Sequence, residues 1–567
     1  MKLIKLAGVS GIMLFTVWPG IGQAEALDVV KPVTSCAALA GTDLTGIGGE
    51  GSKITAAEET TSDGIAVCNV TGTLAAEANF QVLLPLESWT QRYLQTGCGG
   101  LCGNIMLQSG ASAGCAVLND GGFVMAATDM GHSGNDGKWG LDDAQRRDFA
   151  YLAQHRTAEA AKALIEVYYG QAPQFSYFNG CSDGGREVLM EAMGYPEDFD
   201  GIIAGAPAML FQVQNTLYHG WMARSNYSDE RGSREVVLTS AKLPALHAAV
   251  VAACDDLDGV KDGLISQPAL CDFDPYRISC PADAPETDQC LTFRQVDTVR
   301  KLYAGPQDAE TGAHLTAGQP LYGSELNRQG VYVADMADST LFSQMIAEPV
   351  LKYLAFDPAR PDMTFDDLEF TEATLNDLRL RHPLYDATNP DLAAFQAAGG
   401  KLIMWHGLAD PHIAPANTLA LHKAIKAQLG ADMAAGFARL YLLPGVGHCG
   451  GGAGPGNLDL LSPMMAWVED GAAPDAVLTA STAETSSFGQ PAGVGDDSPH
   501  HPPMERLEVT PLPAMTRPVY PYPFTAKWTG EGDMIDAATW TRGEPAEIVH
   551  LRDWPGADLF APYEFAQ

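Results

Sequence analysis

Residues 175–194 read FSYFNGCSDGGREVLMEAMG, and within them Gly180-Cys181-Ser182-Asp183-Gly184 fits the pattern G-x-S-x-G. An apolar, strand-like run precedes the pentapeptide and a helical pattern follows it. A nucleophile elbow requires that context: a turn so tight that only small residues fit beside the serine, whose hydroxyl is lifted above a sheet edge at the start of a helix. The amide of Asp183 is then placed to help hold an oxyanion. The plain alternative is a glycine-rich strand–helix turn carrying an ordinary serine.

A hydroxyl at its free pKa is a poor nucleophile and needs a base. In elbow folds the acid and then the base follow the serine along the chain. After the apolar run 401–405 comes His406-Gly407-Leu408-Ala409-Asp410-Pro411, which puts Asp410 just past a strand end, where an orienting acid belongs. After the run 438–443 comes Pro444-Gly445-Val446-Gly447-His448-Cys449-Gly450, and a histidine in such a loop can reach over the serine. Otherwise Asp410 is a helix cap or turn residue and His448 a solvated loop histidine. His406 and His412 are rival imidazoles, but they lie beside the acid, too early for the expected order. Cys181 precedes the serine and Cys449 follows the histidine. If Ser182 and His448 meet, so do these neighbours, and a Cys181–Cys449 disulfide would clamp nucleophile to base.

A second cluster lies at 254–265, CDDLDGVKDGLI, with Asp255, Asp258 and Asp262 close together and Gly259 and Gly263 for turning. Crowded carboxylates repel unless a hard cation gathers them, and Ca²⁺ accepts carboxylate and carbonyl oxygens together. The bland reading is a solvated acidic turn.

Elements able to position these residues follow from the apolar pattern. Strand-like runs at 80–84, 122–128 and 175–178 alternate with a helical stretch at 144–169, and the alternation returns at 391–470. Strands separated by helices predict a mainly parallel sheet covered on both faces. Residues 209–390 are irregular, cysteine-bearing and rich in Pro and Asp, as expected of an insertion that caps the sheet. The tail after 480 should wrap the surface rather than form its own core. The expected organisation is therefore a leader at 1–26, an α/β catalytic domain at 27–208 and 391–567 (the latter including the tail), and a lid insertion at 209–390. No internal repeat is evident.

The 567 residues are 46% hydrophobic and 18% charged, which excludes a disordered chain. With 34 Lys and Arg against 70 Asp and Glu, the net charge of −36 disfavours nucleic acid and anionic membranes as partners. Lys2 and Lys5, an apolar stretch and Ala24-Glu25-Ala26 read as a cleavable secretory leader, so a secreted or periplasmic protein is expected. No later stretch is apolar for long enough to span a membrane. Eleven cysteines without a zinc-ligand pattern suit disulfides in an oxidising compartment, with an odd thiol left over.

Cys-Ser-Asp-Gly-Gly-Arg at 181–186, Asp410 and His-Cys at 448–449 resemble the tannase/feruloyl esterase family. Further matching segments are FDGIIAGAPA at 199–208, Trp405-His406-Gly407 and the Thr516-Arg517-Pro518 to Pro523 stretch. The resemblance implies an α/β-hydrolase fold with a large inserted lid domain. It implies a serine carboxylester hydrolase acting on a small aromatic ester, with Ser182 as nucleophile, His448 as base and Asp410 as acid. Hydroxycinnamoyl (feruloyl-type) esters are the first expectation. Galloyl esters and mono(2-hydroxyethyl) terephthalate are alternatives, and a non-catalytic binding protein of the same fold is the alternative from another class. By the same resemblance Gly100, in the loop GCGGLCG at 97–103, joins Asp183 in the oxyanion hole. The acidic loop becomes a structural Ca²⁺ site built from the side chains of Asp255, Asp258 and Asp262 and the backbone oxygens of Val260 and Leu264. The pairs Cys254–Cys271, Cys280–Cys290 and Cys36–Cys68 complete the implied disulfides. Cys98 and Cys102 depart from the family pattern, and the pairing of Cys98, Cys102 and Cys115 is left open, a bridge from one of the first two to Cys115 being one option. A further family bridge near the C-terminus is missing, since Tyr520 and Arg542 occupy its places.

Overall fold

The computed structural model describes residues 27–565 apart from Ala76, Arg231, Ala284 and 482–506; the expected leader lies outside them. The strands of the central sheet are β1 (Lys53–Ser62), β2 (Ile65–Leu74), β3 (Ala78–Pro85), β4 (Arg92–Thr96), β5 (Phe123–Thr128), β6 (Phe175–Cys181), β7 (Gly201–Gly205), β8 (Lys401–Gly407) and β9 (Ala438–Leu443). They are ordered β1-β2-β3-β5-β4-β6-β7-β8-β9. From β5 through β9 every pairing is parallel, while β1, β2 and β3 extend the sheet antiparallel to β5. The strands β6, β7 and β8 are buried almost along their length, as strands covered on both faces must be. This is the α/β-hydrolase fold.

The main helices are α1 (Ala153–Tyr169), α2 (Asp183–Gly194), α3 (Leu243–Cys254), α4 (Phe293–Ala304), α5 (Pro415–Leu429) and α6 (Leu461–Asp470). Apolar residues of α1, α2 and α5, including Leu164, Val188 and Leu419, form the core on one face of the sheet. On the other face Met464, Met465 and Trp467 of α6 pack with Tyr177, Ile203 and Ile403. The helix expected over 144–169 is broken by a π-helical turn at Asp148–Leu152. The β1–β2 extension was not anticipated: β1 is exposed or half-buried throughout and carries no apolar alternation to betray a strand.

Between β7 and β8 the chain leaves the sheet and builds a helical insertion with its own apolar core, in which Leu246 and Val250 of α3 meet Val299 and Leu302 of α4. The disulfides Cys254–Cys271 and Cys280–Cys290 staple this insertion, and Cys36–Cys68 ties the N-terminal segment to β2. Among the described residues the tail does not build a separate core. Ile548, Val549, Trp554 and Phe560 enter the main one.

Arg92 of β4 meets Glu469 of α6 in a bidentate pair, Nε to Oε1 at 2.8 Å and Nη2 to Oε2 at 2.5 Å, and the Tyr177 hydroxyl donates to Oε1 at 2.6 Å. Both charged side chains are only 2% exposed. Breaking such a pair strands a buried charge, so Glu469→Gln should lower unfolding free energy by about 3–5 kcal/mol. Urea denaturation measures this, and an unchanged midpoint would show that the pair does not fasten α6 to the sheet.

Candidate active site

Ser182 sits between β6 and α2 at φ +64° and ψ −122°, a conformation that L-residues rarely adopt. Its amide donates to Gly205 O at 3.0 Å, and its carbonyl accepts from Ala208 N at 2.9 Å. The glycines beside it are sterically required. A Cβ at Gly180 would stand 2.3 Å from Gly184 O, and one at Gly185 would stand 2.5 Å from Gly205 O. The motif is therefore a true elbow, with Asp183 the first residue of α2 and its amide among those that a helix start leaves unpaired.

Below the elbow, the fully buried Arg186 grips Asp183, with Nε to Oδ1 at 2.8 Å and Nη2 to Oδ2 at 2.9 Å. It also donates to the carbonyls of Ala150 and Phe149 and stacks over the Phe149 ring. Next along α2, Glu187 accepts from Cys98 N at 3.3 Å and from the Gln154 amide. Burial and then the charge of Asp183 push the Glu187 carboxyl well above the usual range.

Asp410 and His448 come together as their loops follow β8 and β9. His448 Nδ1 lies 2.8 Å from Asp410 Oδ2. The other oxygen of Asp410 accepts from the amides of His412 at 2.7 Å and Ile413 at 3.0 Å. Burial opposes its charge, but His448 and the bonds from His406 and His448 outweigh that and hold Asp410 well below the carboxylate range. Of the rival imidazoles, His406 is a second partner of the acid, with Nε2 3.1 Å from Oδ2 and Nδ1 2.8 Å from Thr418 Oγ1. His412 packs against His448, ring centroids 4.7 Å apart. Sequence reasoning missed the supporting role of His406; its position four residues before Asp410, at the end of β8, was the available signal.

The insertion also grips the acid loop. The Tyr218 hydroxyl donates to Pro411 O at 3.0 Å, Asn327 Nδ2 donates to Ala409 O at 2.9 Å, and the Gln214 amide donates to His412 O. A Cys181–Cys449 disulfide spans 268 residues with Cα atoms 5.9 Å apart, so the residue before the serine is covalently joined to the residue after the histidine.

In the loop containing Gly100 the pairing left open by the sequence is decided. Cys98 and Cys102 bridge to each other, not to Cys115. A turn with Cys102 N bonded to Gly99 O at 3.0 Å brings the two within reach. Cys115 is a buried thiol in the α6-side core, against Met465. Gly184 N bonds to Cys98 O at 2.7 Å, so this loop is fastened directly to the elbow. Gly100 lies exposed near its tip at φ +64°.

In the acidic loop, Asp255 Oδ1 accepts from the amides of Asp262 at 3.2 Å and Gly263 at 3.0 Å. Asp258 Oδ1 accepts from Val260 N at 3.0 Å, and Asp262 Oδ2 pairs with Arg517 at 2.5 Å. Burial, together with the charges of Asp262 and Asp255, pushes Asp258 up to about 6. Carboxylate oxygens are donors that suit a hard divalent cation, but among the described residues Asp255, Asp258 and Asp262 are not gathered within 4.8 Å of one another, and Asp255 and Asp262 are held by amides and Arg517. The Leu264 side chain reaches to where a Cβ on Gly445 would stand, so the acidic loop abuts the loop that carries His448.

The sequence profile of tannase and feruloyl esterase matches residues 62–542. A mono(2-hydroxyethyl) terephthalate hydrolase of Piscinibacter sakaiensis is 30% identical over 548 residues, covering 84% of this chain and 85% of that protein. A probable feruloyl esterase of Arthroderma benhamiae is 31% identical over 442 residues, covering 74% and 79% respectively. The crystal structure of feruloyl esterase B from Aspergillus oryzae superposes with a TM-score of 0.72 at 24% identity, covering 90% of this chain and all of that one.

Arg186→Met keeps the side-chain volume but leaves Asp183 a buried, uncompensated charge at the elbow. It should lower unfolding free energy by about 3–5 kcal/mol in urea denaturation. A shift below about 1 kcal/mol would show that the pair does not support the elbow.

Proposed function

Because the chain belongs to the tannase and feruloyl esterase family it is a carboxylic ester hydrolase, and we propose that it cleaves hydroxycinnamoyl-type aromatic esters through Ser182, His448 and Asp410. One observation carries the triad: a buried Asp410–His448 bond of 2.8 Å stands on a base loop that Cys181–Cys449 ties to the elbow of Ser182. In this reading Ser182 Oγ attacks the ester carbonyl carbon while His448 takes its proton through Nε2. Asp410 holds Nδ1 and stabilises the imidazolium. The amides of Asp183 and Gly100 hold the oxyanion as the tetrahedral intermediate forms. His448 then protonates the departing alcohol, and water, deprotonated by the same imidazole, hydrolyses the acyl-enzyme. His406 and the amides of His412 and Ile413 keep Asp410 ionised and oriented. A second reading, a mono(2-hydroxyethyl) terephthalate ester as substrate, is favoured by the 30% identity to the hydrolase from Piscinibacter sakaiensis.

The acidic loop fits a structural Ca²⁺ held by Asp255, Asp258 and Asp262 and the carbonyls of Val260 and Leu264. Such an ion supplies charge that offsets the carboxylates, and Leu264 would pass the resulting stiffness to the base loop. Five disulfides support folding in an oxidising compartment, in keeping with an exported protein whose leader is 1–26.

Turnover of methyl ferulate, methyl gallate, mono(2-hydroxyethyl) terephthalate and p-nitrophenyl acetate by the full chain tests the substrate. The largest kcat/KM is expected on the ferulate. A terephthalate preference would move the second reading forward, and inactivity on all four by folded protein would sink both. Ser182→Ala should lose at least about 10⁴-fold in kcat, and Asp410→Asn about 10⁴-fold, with the fold intact by circular dichroism. Retained activity in either variant would remove that residue from the triad.

Calcium at 100 times its Kd should stabilise the chain by about 2.7 kcal/mol, read as a Tm that falls on chelation and returns with added Ca²⁺. A Tm indifferent to both would leave the loop a solvated acidic turn.

A further inference from the structure

Nine residues along α2 from Ser182, about 13 Å by helix rise, a second group of ligand-type side chains closes behind the nucleophile helix. His155 of α1, Glu191 of α2 and Asp198 in the following turn each offer an atom, all within 4.8 Å of one another. We propose that these three residues form a cation site, separate from the acidic loop, that binds a borderline divalent ion such as Zn²⁺.

Glu191 carries the argument. It is 1% exposed, and its carboxylate meets no guanidinium, ammonium or amide donor among the described residues; the polar group it faces is the Asp198 carboxyl. Buried carboxylates elsewhere in this chain are met by a guanidinium or by backbone amides, as at Glu469 and Asp410. Glu191 instead faces a second carboxylate, and two carboxylates that close must share a proton or a cation.

The imidazole supplies a nitrogen ligand. His155 Nδ1 is hydrogen-bonded to Asp198 Oδ2 at 2.6 Å, a contact that an ion would open, while its other nitrogen lies 3.5 Å from Glu159 Oε2. A carboxylate on the far nitrogen is how metal-bound histidines are commonly oriented. Tyr195 stacks on the ring at 3.6 Å and 6°, which fixes its plane. The side chains of His155 and Asp198 are 20% and 16% exposed, so an ion can reach Glu191 from solvent. Lys162 lies 3.9 Å from the other oxygen of Asp198 and opposes an ion. Burial and Asp198 favour a proton on Glu191, and once an ion displaces it Glu159, Glu191 and Asp198 outweigh Lys162 by two negative charges. One nitrogen and two carboxylates suit Zn²⁺ or Co²⁺, whereas Ca²⁺ and Mg²⁺ prefer oxygen alone. The ion would staple α1, α2 and the 195–198 turn behind the elbow without touching substrate.

The test uses the full chain with Ca²⁺ in excess, so that the acidic loop is not the reporter. Co²⁺ is titrated and read by its visible d–d bands, and Zn²⁺ by calorimetry. One equivalent should bind, Tm should rise, and esterase activity should stay unchanged. Glu191→Gln and, at a partly exposed position that leaves the core intact, His155→Gln should each weaken binding at least tenfold. Glu159→Gln should weaken it about tenfold. No Co²⁺ bound by the wild-type chain, equal binding by both main variants, or a thiolate charge-transfer band marking Cys115 would each overturn the site. The first two would leave Glu191 and Asp198 as a proton-sharing pair.

Discussion

The backbone of Ser182 is held at φ +64° and ψ −122°, and much of the molecule serves to hold it there. A non-glycine residue in such a conformation costs on the order of 1–3 kcal/mol and persists only where its surroundings over-determine it. Here they do. Gly180, Gly184 and Gly185 leave no room for another path, Gly205 and Ala208 bond the serine backbone on both sides, and Gly184 N is bonded to the loop closed by Cys98–Cys102. Ala206, Cys449 and Cys102 also have positive φ close to the elbow in the chain or in the loops joined to it, as do Asp63, Gln91, Ala111 and Met130 elsewhere.

The proposed partners of Ser182 reach the elbow by three routes of different strength. Parallel pairing of β6, β7 and β8 fixes where the loops of Ser182 and Asp410 emerge, and β9 adds that of His448. The Cys181–Cys449 bond then removes the freedom that two loops so far apart in sequence would keep in the unfolded chain. In the loop-closure account that is worth on the order of 5 kcal/mol. The insertion supplies the third route. Tyr218, Gln214 and Asn327 bind the backbone of residues 409–412, so a segment that covers the sheet also aligns its acid. An insertion that grips the backbone of residues 409–412 is poorly placed to swing as an independent body.

Charge inside the molecule is handled by pairing. The surface is strongly acidic, yet the carboxylates that matter are buried with partners: Asp410 between imidazoles and amides, Asp183 in the fork of Arg186, Glu469 in that of Arg92. Buried pairs contribute little net stability but are costly to break. Their value here is positional, since each fixes an element on which the site stands. At the Glu191 cluster protein partners fall short of the negative charge, and in the acidic loop burial and neighbouring carboxylates raise Asp258.

Much of the site was legible in the sequence because its signals are local. Glycine spacing around Ser182, a strand before and a helix after it, and the order serine, acid, histidine are constraints imposed within a few residues by steric exclusion and strand ends. The buried strands were legible for the same reason, as continuous apolar runs. The polar β1 was not, because its place in the sheet comes mainly from pairing with β2, with only Ile54 and Ala57 of its side chains packed on the main core. The Cys98–Cys102 closure was hidden because a four-residue spacing becomes a bridge only once a turn folds it, while Cys115 points into a different core. The role of His406 and the meeting of His155, Glu191 and Asp198 join residues on different elements or in different loops. The sequence by itself determined which residues could do chemistry and the elements that carry them. Which imidazole faces the acid, which thiols meet and which carboxylates crowd together was decided only by tertiary packing, because those contacts depend on distances between elements that no local pattern encodes.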